Sequence, residues 1–76
     1  MKSIRILRQI LGISQETLCA ETGLSRQSLS AFESGAAFPA RSTARTLDNG
    51  LEAIIDRRAL AAAQALREEK QPAMGS

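Results

Sequence analysis

Residues 13–35 read ISQETLCAETGLSRQSLSAFESG. Two short helical patterns lie in this stretch, separated by Gly23-Leu24-Ser25. Ser14 is placed to cap the first, because a hydroxyl at that position accepts from the otherwise unpaired N–H groups of the opening turn. The spacing predicts helix from Gln15 to Thr22, with Leu18 and Cys19 turned inward. Gly23 supplies the left-handed backbone that ends a helix and redirects the chain. Ser25 is a second N-cap. Leu29 and Phe32, three apart, then face inward and leave Arg26, Gln27 and Ser30 on the other side. Gly35 closes the second pattern.

Working outward, Ser3 to Leu11 carries Ile4, Leu7 and Leu11, flanked by Ile6 and Ile10, as one broad apolar helical face, and Gly12 follows as a stop. Beyond Gly35 comes a loop around Phe38-Pro39. A fourth helix is expected over about Ser42–Ala53, with Leu47, Leu51 and Ile54 inward and Gly50 weakening it by ~1 kcal/mol relative to Ala. Asp56 reads as an N-cap for a further helix to about Lys70, and the tail 71–76 as disordered. The expected class is therefore all-α: four helices of one domain (residues 1–55), a C-terminal fifth helix (56–70), and a tail.

Composition narrows the function. At 76 residues the chain is one domain at most. A domain this small buries only about 60% of its unfolded surface, so tight helix packing or a partner subunit must compensate. Cys19 is the sole cysteine and there is no histidine, which excludes an internal disulfide and any ordinary zinc cluster. Catalysis finds no support: no histidine, no base near Cys19, no glycine-rich phosphate loop and no paired carboxylates. No apolar run approaches the roughly 20 residues that span a bilayer, and Lys2, Arg5 and Arg8 interrupt the N-terminal apolar residues, so a cytoplasmic protein without a cofactor is expected. Net charge is +2, divided as +3 over residues 1–47 and −1 over 48–76. A polyanion would dock on the N-terminal part, although so small an excess is also ordinary surface.

Two short helices crossing sharply through a three-residue turn can push the second one into a groove about 12 Å wide. Here the sequence resembles a known family. LRQILGISQETLCAETGLSRQSLSAFESGAAFPARSTARTLDNGLEA, from Leu7 to Ala53, is similar to the phage-repressor and Cro-like helix-turn-helix proteins, the Xre family. The shared features are the Arg one turn before Gly12, ISQETL, Gly23 at the turn, LSRQSLSAFESG, Pro39, and Thr43–Leu47–Leu51, over about residues 4–53. The resemblance implies binding to double-stranded DNA. It implies a phosphate contact at Gln15 and base reading at Arg26 and Gln27, whose side chains can pair bidentately with guanine and adenine. Ser30 would reach a base or phosphate, Ser25 and Ser28 phosphate oxygens, and Arg41 the backbone. It also implies that Arg8 and Glu33 form an internal ion pair and belong to structure, not recognition.

Three departures stand out. Thr22 replaces an apolar residue, which should loosen local packing. Cys19 replaces alanine and is read as a small buried hydrophobe. The loop after Gly35 lacks lysine, so each monomer's phosphate grip should be weak. Arg45, Arg57 and Arg58 are read as solvated charges, and Lys2 and Arg5 either touch the DNA backbone or keep the chain soluble. The last helix either packs on its own domain or offers Leu60, Leu66, Ala59, Ala62 and Ala63 to a second copy; the dimer is favoured. The expected function is transcriptional regulation, with repression favoured. The alternatives are an autoregulatory antitoxin whose residues 56–76 bind a toxin, and a protein-interaction module on the same fold.

Overall fold

The computed structural model describes residues 2–70. The tail 71–76, expected to be disordered, lies outside the described residues. Those described form four helices joined by short turns, with no strand among them: α1 (Lys2–Leu11), α2 (Gln15–Thr22), α3 (Arg26–Ser34) and α4 (Arg41–Lys70). Local chemistry sets the first boundaries. Ser14 and Ser25 both hold extended backbone, and their hydroxyls accept from Thr17 N–H at 3.0 Å and Ser28 N–H at 3.1 Å. Each such cap is worth about 1 kcal/mol.

The core is aliphatic. Leu18 of α2, Leu29 of α3 and Leu47 of α4 are fully buried, joined by Ile4, Ile13, Leu51 and Ile54. Leu11, Cys19, Leu24 and Phe32 pack against this cluster from its edge. Burying each large side chain contributes about 1.5–3 kcal/mol, so a handful of residues carries most of the cohesion. On α1 the expected broad face narrows. Ile4 is buried and Leu11 half-buried, but Leu7 is exposed and Ile6 and Ile10 are 54% and 74% exposed, because α1 packs on the body along one stripe only.

The expected fifth helix does not exist as a separate element: α4 runs unbroken for 30 residues. Asp56 is not a cap. Between Ala53 and Arg58 there is no Gly or Pro to end a helix, and an interior Asp costs at most roughly 0.7 kcal/mol against Ala. Stopping there would instead expose unpaired backbone groups. Ile54 is buried, Arg57 pairs with Glu21, and Arg58 donates to the carbonyl of Leu11, so the helix is fastened to the body just across the expected break. From Asp56 to Glu69 every residue is exposed, and the molecule is 57 Å long but only 20 by 17 Å across. No helix among the described residues is long and apolar enough to cross a membrane.

Gly50 and Thr22 explain one another. Gly50 is buried where α4 crosses α2, and a Cβ there would lie 2.5 Å from Thr22 Cγ2. Thr22 cannot simply rotate away. Its hydroxyl donates to Leu18 O at 2.8 Å and accepts from Leu24 N–H at 3.3 Å. The residue expected to loosen this region thus fills it with a methyl and satisfies its own oxygen. Gly50→Ala should lower stability by about 1–2 kcal/mol through overpacking, despite alanine's better helix propensity. Adding Thr22→Ser, which removes the methyl and keeps the hydroxyl, should restore it. A rise in melting temperature for Gly50→Ala alone would refute the contact.

Candidate nucleic-acid interface

The turn between α2 and α3 is built from three residues with distinct tasks. Gly23 stands at φ +78°, ψ +8°, and its N–H donates to Cys19 O at 2.7 Å, closing α2. A side chain at that φ would be strained even though the space around it is open. Leu24 is half-buried against the core and anchors the turn. Ser25 caps α3, and its hydroxyl donates to Ser28 Oγ at 2.9 Å.

From this start α3 divides cleanly. Leu29 and Glu33 are buried on the inner side, while Arg26, Gln27, Ser30 and Ser34 are exposed. The side chain of Arg26 is 66% exposed, and among the described residues its one ion-pair partner is the solvated Glu16 at 3.8 Å, a contact worth about 0–1 kcal/mol. Arg26 and Gln27 therefore project from the first turn of α3 and do not lie against the body. That first turn carries no acidic residue.

Glu33 holds α3 in place. Its side chain is 4% exposed, and its carboxylate accepts three hydrogen bonds: Arg8 Nε at 2.8 Å, Arg8 Nη2 at 3.0 Å and Gln15 Nε2 at 3.1 Å. Arg8 Nη1 donates in addition to Ile13 O at 3.0 Å. The Arg8 guanidinium and the Glu33 carboxylate together thus tie α1, the α1–α2 turn, the start of α2 and the end of α3. The expected Arg8–Glu33 pair is present, in the two-pronged form that arginine allows. The Arg8 guanidinium holds the Glu33 carboxyl below the ordinary carboxylate range, against the opposing effect of burial, and the same hydrogen bond raises Arg8.

The sequence-derived residues fall into groups. Gln15 and Ser30 meet across an open cleft of about 240 Å³, lined also by Arg5, Arg8, Glu33 and Ser34. Ser25 and Ser28 are bonded to each other at the start of α3, next to Arg26 and Gln27. Arg41 is exposed at the first residue of α4, and no side-chain hydrogen bond or ion pair joins it to the others among the described residues. Arg5, for which the sequence allows either DNA backbone or solvent, borders the cleft. Its spacing of three from Arg8, which puts both on one face of α1, is the signal that could have placed it. Cys19 is half-buried against the core, and burial pushes its thiol up, away from the reactive thiolate form.

Two short helices crossing through a glycine-led turn, with an exposed polar face on the second, define a helix-turn-helix unit. The comparison with known families agrees. The family described as "Helix-turn-helix domain" matches residues 3–63, and the chain belongs to it. That match runs past residues 53–56, where the sequence suggests a break, and ends inside the protruding half of α4. No curated protein and no solved structure gives a significant match. Membership points to a DNA-binding regulator, a class that is typically non-enzymatic.

Arg8→Ala would leave a buried carboxylate with Gln15 as its one remaining partner. A loss of about 3 kcal/mol is expected, a large part of the stability of so small a domain, read as a lower melting temperature. Acid should act through the same group. Because the folded pKa of Glu33 is depressed, its contribution is fully present above the unfolded carboxylate pKa and is lost as pH falls through the folded value. Glu33→Gln should flatten the acid limb of the stability profile; an unchanged limb would assign acid unfolding to other carboxylates.

Proposed function

We propose that this protein is a sequence-specific transcriptional regulator of the phage-repressor and Cro-like (Xre) type, a cytoplasmic repressor that occupies a two-fold symmetric operator as a homodimer. One observation supports this above the rest. Arg26 and Gln27 are exposed at the N-terminus of α3, on a helix fixed from behind by Leu29 and Glu33. Residues 1–55 do the reading, and residues 56–70 form a contact arm.

Binding begins with attraction between phosphates and the basic N-terminal part. Arg26 pairs bidentately with a guanine edge and Gln27 with an adenine edge in the major groove, with Ser30 one turn further on. Gln15, the first residue of α2, offers phosphate its helix N-terminus and the second hydrogen of its amide. Ser25 and Ser28 reach neighbouring phosphate oxygens, and Arg41 holds the backbone from the start of α4. No group on this surface performs a reaction; its task is to occupy the site and exclude others.

A second reading has an observation of its own. The end of α4 protrudes with every residue exposed from Asp56 to Glu69, which suits a protein-binding arm, as in an autoregulatory antitoxin that holds a toxin through residues 56–76. A toxin-like reading frame beside the gene would favour it. A module that binds protein alone is the third reading, and it requires that duplex DNA not bind even at low salt.

Selection of bound duplexes from a random pool tests the main reading, by returning a palindrome with half-sites one helical turn apart. Arg26→Ala should then cost about 1–3 kcal/mol in specific binding and relax preference at one base position per half-site. Uniform weakening across all sequences would reduce Arg26 to a phosphate contact.

A further inference from the structure

The protruding half of α4 carries a pattern that is complementary to its own reverse. Asp56, Leu60, Ala63 and Arg67 are spaced by four, three and four, so they form one stripe along the helix. All four are exposed, Leu60 at 56%. Read backward, the stripe runs base, small, large, acid. Beside it Ala59 and Leu66 repeat the small–large relation, with Leu66 54% exposed.

We propose that this stripe is the dimer seam, and that a second copy of the chain docks on it antiparallel, with the two-fold axis passing between Leu60 and Ala63. In that register Asp56 faces the second copy's Arg67, and Leu60 packs over the second copy's Ala63. Leu66 reaches toward the second copy's Ala59, two positions along from the residue directly opposite, and symmetry makes every contact twice. A parallel pairing would set Asp56 against Asp56 and Arg67 against Arg67, so charge selects the antiparallel one. The alanines let the backbones approach closely, and each leucine fills the space an alanine leaves. The stripe is reached without obstruction, since Asp56, at the end nearer the body, is itself exposed.

The occupant is a copy of this chain and not an unrelated helix because the complementarity is internal to the stripe. The register also fits the reading above, on which its consequence for DNA rests. Leu51 in the core lies about ten residues from the axis, so at 1.5 Å per residue the two domains sit about 30 Å apart along the helices. One turn of duplex is roughly 34 Å. A seam of so few leucines is weak alone, and DNA carrying two half-sites would strengthen it by holding both copies together.

A charge swap tests the register without DNA. Asp56 and Arg67 are eleven positions apart on one rigid helix, about 16 Å, so they cannot pair within a chain. Sedimentation equilibrium of the full chain should show a monomer–dimer equilibrium. Asp56→Arg and Arg67→Asp should each weaken it by roughly three- to tenfold, and the double variant should return to within about twofold of the parent. Leu60→Asp should give monomer at all concentrations with the helical circular dichroism retained. A parent chain that stays monomeric near millimolar concentration, single charge variants that dimerise as the parent does, or a double variant no better than the singles would overturn the proposal. Rescue by the double swap in a chain that fails to bind duplex DNA would uphold the seam and sink the regulator reading instead.

Discussion

The position of α3 depends on a single buried carboxylate. Glu33 lies at the end of the helix opposite to Arg26 and Gln27, yet it fixes where they point, because a rigid helix of nine residues held at one end and capped at the other has little freedom left. Two of its three hydrogen bonds come from one guanidinium and the third from an amide, so charge and geometry are both satisfied inside the protein. Such a group adds less to net stability than to definition of one arrangement: an aliphatic replacement could be equally stable and would leave the angle between α1 and α3 to packing alone.

The hydroxyl residues around the turn have a related task. Ser14, Ser25 and Thr22 each engage backbone N–H groups that would otherwise be unpaired where short helices begin and end. Helices of eight and nine residues are too short to persist in water by propensity. They persist here because their ends are closed and their inner faces are buried on Leu18 and Leu29.

Much of this was legible in the sequence because it is local. Ser14, Gly23 and Ser25 announce themselves by residue type and spacing, and the aliphatic residues at helical intervals give the core at Leu18, Leu29, Leu47, Leu51 and Ile54. The Arg8–Glu33 pair, separated by 25 positions, was readable only through resemblance to a family, since no local rule joins them. What escaped is tertiary. Gly50 read as a weakness in a helix, and its reason is the methyl of Thr22 on another helix. Asp56 read as a cap, because cap propensity is local, while the contacts of Arg57 and Arg58 that carry the helix past it are not. Ile6 and Ile10 read as flanks of one apolar face, because periodicity cannot tell how many neighbours a helix has. Arg5 is open to two readings in the sequence, because the cleft it borders exists only where α3 brings Ser30 and Ser34.

The bond between Gln15 and Glu33 has a thermodynamic consequence. The amide of Gln15 is already oriented, as are the hydroxyls of Ser25 and Ser28, before any ligand arrives. Of the polar groups at this surface, it is chiefly the long side chains of Arg26, Gln27 and Arg41 that keep rotational freedom to lose on association. On the reading proposed above, at about 0.5–1.5 kcal/mol for each immobilised side chain, the ordering penalty would fall on Arg26, Gln27 and the exposed Arg41, while Gln15, Ser25 and Ser28 arrive preset. On that reading, selectivity would be bounded by how far the contacts of Arg26 and Gln27 with a correct sequence outweigh the motion they lose, a balance that an incorrect sequence fails to reach.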